Sequence, residues 1–123
     1  MKSINNLDRI YIGDSLISRI EIQLATSECH FLISYASLLR EGESDIFNPE
    51  RVYKPARLRF KDVESISCIE GAYYLNGTIV NFESVLISEN RIKFTFQLTG
   101  GFDNDTFMRS LEILAGDLSI EDA

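Results

Sequence analysis

Nine consecutive residues, Arg91-Ile92-Lys93-Phe94-Thr95-Phe96-Gln97-Leu98-Thr99, alternate polar and apolar without a fault. Successive side chains on an extended chain point to opposite faces, so this period of two puts Ile92, Phe94, Phe96 and Leu98 on one dry face. Arg91, Lys93, Thr95, Gln97 and Thr99 then share a wet one. A strand with one dry face needs neighbours beside it and a second layer over it. The segment therefore commits the chain to a β-rich core.

The remaining sequence supplies those neighbours. Thr78 to Ile87 is strand-like, but its alternation slips: Val80 and Phe82 share a face with Ser84, while Ile79 shares one with Val85 and Ile87. A bulge near Glu83-Ser84 would reconcile the two phases. Ser88-Glu89-Asn90 closes a hairpin onto Arg91, with Asn90 suited to the left-handed conformation of tight turns. An earlier hairpin joins Ser15 to Leu24, with Ile20, Ile22 and Leu24 on one side, to Cys29 to Tyr35, with Phe31, Ile33 and Tyr35 on one side. Arg40 to Lys54, with Gly42, Pro49 and several acids, reads as one long loop, and Ala56 to Phe60 and Val63 to Ile69 as two further short strands. The C-terminal segment fits two periods. Phe107, Leu111, Leu114, Ala115 and Leu118 line a helix with Asp105 as N-cap, while Phe107, Arg109, Leu111 and Ile113 line a strand. Six to eight strands with short turns predict a mainly β, single-domain antiparallel sandwich or barrel spanning residues 1 to 123. Either a final strand or a short capping helix completes it, and the strand is the preferred reading.

A chain of 123 residues with 45% hydrophobic content is long enough to bury a core without disulfides or a structural metal. Its longest apolar stretch, Phe31 to Leu39, is broken by Ser34 and Ser37 and falls far short of the ~20 residues that span a bilayer. The opening residues Met1 to Arg9 carry no apolar signal core, so a cytoplasmic protein is expected. The net charge of −7 is unevenly spread. Residues 1–61 carry a balance of +1, and residues 62–123, where only Arg91, Lys93 and Arg109 are basic, carry −8. Such an excess repels nucleic-acid phosphates and draws in a basic protein. The local exception is Arg51, Lys54, Arg57, Arg59 and Lys61, where alternation sets Arg57, Arg59 and Lys61 on one face and Leu58 and Phe60 on the other. That is the pattern of a strand's solvated face, with no interleaved exposed aromatics to stack on bases.

Little in the sequence carries chemistry. Cys29 and Cys68 lack metal-site spacing and His30 is the lone histidine, so a closed Cys/His zinc site cannot be assembled. The two cysteines read as small core residues. His30, beside Cys29 on a strand, points to the opposite face, which removes a thiol–imidazole dyad and leaves a surface histidine. Glu41, Glu43 and Asp45 have part of a calcium-loop spacing without its Gly or terminal Glu. Asp103 and Asp105 beside Gly100-Gly101 read as turn chemistry. No cofactor or metal is expected.

Ile10-Tyr11-Ile12-Gly13-Asp14-Ser15-Leu16 resembles the opening block of the GDSL esterases and lipases, and that resemblance implies Ser15 as nucleophile. A serine needs a histidine base, and the Asp-x-x-His pair that the family keeps near its C-terminus is missing here. An esterase is accordingly the third reading, and the four-residue match is taken as a coincidence. Tyr73-Tyr74, between Gly71 and Asn76-Gly77, stands out as an interaction surface, because tyrosine buries area at low entropic cost. Asp103, Asp105 and Asp117 join it as acidic contact candidates for a basic partner. The order Asp14-Ser15-x-x-x-x-Ile20, a first hairpin, a long loop and Leu58-x-Phe60-x-x-Val63-x-x-Ile66 resembles small bacterial β-proteins, some grouped with toxin-immunity proteins. The resemblance implies an acidic, non-catalytic protein that covers a basic partner. The alternative is a small-ligand-binding or accessory β-domain, with self-association through a strand edge also open.

Overall fold

The computed structural model describes residues 2–3, 9–39, 53–69, 77–100 and 108–123, and all structural statements concern these. Ten strands form there: β1 (Lys2–Ser3), β2 (Arg9–Tyr11), β3 (Leu16–Gln23), β4 (Glu28–Leu39), β5 (Lys54–Lys61), β6 (Ser65–Ile69), β7 (Gly77–Ser88), β8 (Arg91–Thr99), β9 (Arg109–Ala115) and β10 (Asp117–Asp122). The only helical element among them is a 3-10 turn at Leu24–Thr26, between β3 and β4. The expected mainly β, antiparallel architecture is what forms. The count exceeds six to eight because β1 and β2 are two- and three-residue pairings too short to leave a periodic signature.

Nine strands lie in one path, β1-β10-β5-β4-β3-β7-β8-β9-β6, and β2 pairs with the far part of β4. Every pairing is antiparallel. The path runs from β1 to β6 without closing, so the barrel alternative gives way to a single sheet folded over on itself. The fold line is the β3–β7 junction, where among the described residues only Leu16↔Thr78 and Ile17↔Gly77 pair. Gly77, at φ 151°, is required at that line: a Cβ would lie 2.8 Å from Arg109 Nη2 and 3.1 Å from the Thr99 carbonyl oxygen. On the opposite side the chain passes twice between the halves, from β5 to β6 through Asp62, Val63 and Glu64 and from β9 to β10 through Gly116. The Gly116 N–H donates to the Lys61 carbonyl at 2.9 Å, and the Glu64 N–H to that of Leu114 at 2.8 Å. These bonds tie the two crossings side by side.

Folding over brings two dry faces together. Cys29, Phe31 and Ile33 on β4 and Ala56, Leu58 and Phe60 on β5 meet Phe94, Phe96 and Leu98 on β8 and Leu111, Ile113 and Ala115 on β9, all buried. Phe31 stacks on Phe96 with ring centroids 5.2 Å apart, and Phe60 meets Phe94 edge-on at 5.1 Å. Such pairs add about 0.5–1.5 kcal/mol each beyond the area they bury. Strand β8 occupies the nine residues that the alternation marked, and β9 alternates as strictly, with Arg109, Leu111, Ile113 and Ala115 buried. The C-terminal segment is thus a strand where it is described: the alternation of β9 continues a dry layer, which a helix at that position would interrupt.

Several local expectations are corrected. The irregularity of β7 lies between Ile79 and Asn81, not at Glu83-Ser84, so Ile79 and Phe82 both oppose core residues of β8, Leu98 and Phe96. Asn90 is absent from the left-handed non-glycine residues, which among those described are Asp14, Ser27 and Asp62; a second register shift between Leu86 and Ser88 lets the hairpin close without one. In β3 the buried residue is Ile17, with Ile20 packed against the core, whereas Ile22 and Leu24 are 54% and 87% exposed because the strand runs past the second layer. A shift in the β4–β5 register between Ile33 and Ala36 passes the inward position to Ala36 and leaves Tyr35 half-buried. Phe60→Ala is expected to lower unfolding free energy by ~3–5 kcal/mol in urea titration. Ile22→Ser, outside the core, should stay within ~0.5 kcal/mol; a large loss there would restore Ile22 to the interior.

Candidate interaction surface

The outward face of β3, β4, β5 and β10 carries the charged residues of the basic strand and their counterparts. Cross-strand register sets His30 beside Glu21 on β3 and Arg59 on β5, and Arg57 beside Leu32 on β4 and Glu121 on β10. The Arg59 guanidinium donates to both oxygens of Glu28, Nε to Oε1 at 2.6 Å and Nη2 to Oε2 at 3.0 Å. Arg57 Nη1 donates to Glu21 Oε2 at 3.3 Å, and Arg57 Nε lies 3.8 Å from Glu121 Oε1. His30 is not the surface residue expected: it is 7% exposed and held between the two systems. Its Nε2 faces Glu28 Oε1 at 2.9 Å and its Nδ1 faces Arg57 Nη1 at 3.0 Å. A guanidinium only donates and a carboxylate only accepts, so the two contacts match a ring that donates from Nε2 and accepts at Nδ1. The hydrogen bonds from Arg59 and His30 pull the Glu28 carboxyl from the ordinary 4.5 down to about 2.

The alternation thus placed Arg57 and Arg59 correctly on one face, and the structure shows what they meet there: acids of the chain itself. A second charged group lies where the two chain crossings adjoin. Asp62 and Glu64 are exposed and Asp117 half-buried, and Asp117 stands opposite Lys61 in the β10–β5 register. Arg91 Nε meets Glu64 Oε2 at 3.2 Å, which brings the Glu89-Asn90 turn beside this corner. Of the residues marked from sequence as contacts, Asp117 lies here. Tyr73, Tyr74, Asp103 and Asp105 lie outside the described residues.

Ser15 is fully buried. Its hydroxyl accepts from the Tyr35 N–H at 3.0 Å and shares a hydrogen bond with Ser34 Oγ at 3.1 Å. Its backbone carbonyl accepts from Ile79 at 2.8 Å, at the fold line. Both ring nitrogens of His30 are engaged elsewhere, so the Gly13-Asp14-Ser15-Leu16 segment here forms a turn that pins β3 and β4 to β7. Tyr35 Oη donates to the Gly13 carbonyl, and Tyr11 and Tyr35 both meet Tyr53 edge-on, with centroids 5.7 and 5.6 Å away. Burial, with Asp14 nearby, raises the Tyr35 phenol. Cys29 is a free thiol in the core, where burial pushes it up to about 11 and away from reactivity.

One surface was not foreseen. Past Ile79, β7 has β8 on one side and no strand on the other among the described residues. Residues 80–88 are exposed except Phe82, and Val85, Leu86 and Ile87 are 49%, 62% and 56% exposed in succession. The available signal was the absence of Lys, Arg and Pro from Gly77 through Asn90. Edge status follows from pairing order, which periodicity does not encode.

The chain belongs to a family of unknown function (DUF6258), whose model matches residues 1–123. No curated protein and no solved structure matches it. Because the Glu28 carboxyl is held low, its contribution to stability is full above about pH 4.5 and is lost as pH falls toward 2. Glu28→Gln should lower stability at neutral pH and flatten this part of the acid limb in urea titrations at stepped pH. An unchanged acid limb would show that the Arg59 pairing is not formed in solution.

Proposed function

We propose that this member of the DUF6258 family is a non-catalytic binding protein that covers a basic protein partner, in the manner of an immunity protein. One observation supports it above the rest: Arg57 and Arg59 are already taken up by Glu21, Glu28 and Glu121. With the basic strand neutralised internally, what the chain offers to another molecule is the acidic excess of residues 62–123. A surface of one sign speeds encounter with an oppositely charged partner and rejects wrong ones. The corner of Asp62, Glu64 and Asp117, with Glu89 adjoining, gathers four described acids around Arg91 and Lys61, and it is the assigned contact. Tyr73, Tyr74, Asp103 and Asp105 remain proposed contacts on the sequence argument alone. The alternative, a small-ligand carrier, asks for an apolar hollow; between the sheet halves the rings of Phe31, Phe60, Phe82, Phe94 and Phe96 lie against one another, which favours the first reading.

The test is calorimetric titration of the chain with the purified products of the flanking reading frames, at low and high salt. A basic product is expected to bind, with affinity that falls as salt rises. Neutralising the corner as Asp62→Asn, Glu64→Gln and Asp117→Asn together should weaken it by about tenfold or more, roughly 1.4 kcal/mol. The charge-matched control Asp14→Asn, Glu112→Gln and Asp122→Asn should have less effect. Salt-independent binding, or binding of no basic product, would contradict the proposal; equal losses in both triple variants would contradict the corner as its site.

A further inference from the structure

We infer that the free edge of β7 is a self-association surface, taken by β7 of a second copy in antiparallel pairing about a two-fold axis at Ser84. The edge is held by β3 and the Gly13–Ser15 turn only as far as Ile79, through the Asp14 N–H to the Ile79 carbonyl and the Ile79 N–H to the Ser15 carbonyl. From Asn81 to Leu86 the strand keeps regular register with β8, Asn81↔Gln97 through Leu86↔Ile92, between the two register shifts. Six regular residues are a full strand's length of outward backbone N–H and C=O groups without a neighbouring strand among the described residues. Protected edges carry Lys, Pro or inward-pointing charge; Asn81-Phe82-Glu83-Ser84-Val85-Leu86 carries one acid, Glu83, and no base or proline. Val85 and Leu86, on opposite faces, are both exposed, so toward its C-terminal end neither face of this edge is covered by the described residues.

The self-pairing register is narrowly set. Joining two copies edge to edge around a two-fold axis normal to the sheet keeps like faces together, so directly opposed residues must share a face. Outward residues are Asn81, Glu83 and Val85; inward ones are Phe82, Ser84 and Leu86, which oppose Phe96, Phe94 and Ile92 on β8. Two registers are centred on the regular stretch. An axis at Glu83 sets that carboxylate against its own copy, a like-charge pair that destabilises a sheet. An axis at Ser84 sets Ser84 against Ser84, Glu83 against Val85 and Phe82 against Leu86 in both directions. The second register covers the exposed Leu86 with a ring already packed on the core, and it directly opposes no like charges. In that register the apolar residues Phe82 and Leu86 cover one another in both directions and the lone acid is kept off its own copy, so the edge fits a second copy of itself.

Sedimentation velocity over a concentration series tests this with the full chain. Mass is expected to rise with concentration toward twice the chain's 14.0 kDa. Ser84→Lys sets two ammonium groups face to face on the axis and should abolish that rise, while circular dichroism confirms that this exposed position tolerates the change. Ser84→Cys should cross-link two copies under mild oxidation, whereas Asn81→Cys, well away from its own copy, should not; the unaltered chain, with both native cysteines, is the reference. A monomer at every concentration, or a dimer that persists in Ser84→Lys, would overturn the proposal, as would cross-linking through Asn81→Cys in preference to Ser84→Cys.

Discussion

The contact of Phe31 and Phe60 with Phe94 and Phe96 is the interaction on which the rest of the structure depends. An open sheet has one dry face and nothing to cover it, and a chain of this length has no helix among its described residues to lay across it. The sheet therefore covers itself. Bending at the β3–β7 junction costs most of the ladder there, leaving two register pairs, and the rings of β4, β5 and β8 hold the halves together over that gap. The two crossings at Asp62–Glu64 and Gly116 close the opposite side by backbone hydrogen bonds. A Cβ on Gly116 would sit 3.0 Å from Asp62 Cβ, so close passage of the two crossings depends on a residue without a side chain.

Once the halves are joined, the placement of charge follows. Strands β3, β4, β5 and β10 present their outward residues as one surface, and the register sets Arg57 opposite Glu121 and His30 between Glu21 and Arg59. Arg57 and Arg59 then find Glu21, Glu28 and Glu121 on neighbouring strands, and His30 is enclosed between them. The side-chain exposures of Glu28 and His30, 13% and 9%, show how far these groups are drawn out of water without being buried in the core. In this protein a run of bases that reads locally as a positive patch is a structural element.

Periodicity made much of the fold legible. Ile92, Phe94, Phe96 and Leu98 declared a strand with a dry face, and Leu58 and Phe60 against Arg57 and Arg59 declared another, because each alternates over its full length. Where alternation broke, tertiary geometry decided the facing. Val80 and Phe82 look like one face, yet the shift beside Ile79 turns Phe82 inward and leaves Val80 exposed. Ile22 and Leu24 have the hydrophobicity of core residues but lie beyond the second layer, a matter of strand length relative to a partner far away in the chain. The candidate site was least legible. Asp117 was singled out by its charge, but the open edge of β7 arises because the chain ahead of β3 turns away at Gly13–Ser15 beyond Ile79, and no property of residues 80–88 alone reports which strand lies next to them.

The protein is a folded-over sheet whose two halves cover each other while, among the described residues, β7 stays open along Asn81–Leu86. Amide hydrogen exchange resolved by residue, recorded in dilute and in concentrated solution, addresses this most directly, since an amide without a hydrogen-bond partner exchanges far faster than one in a ladder. In dilute solution the amides of this stretch that point away from β8 should exchange quickly while those of β8 and β9 stay protected, and raising the concentration should slow exchange at those edge amides alone. Edge amides that are already slow in dilute solution, or a concentration effect that falls elsewhere in the sheet, would contradict it.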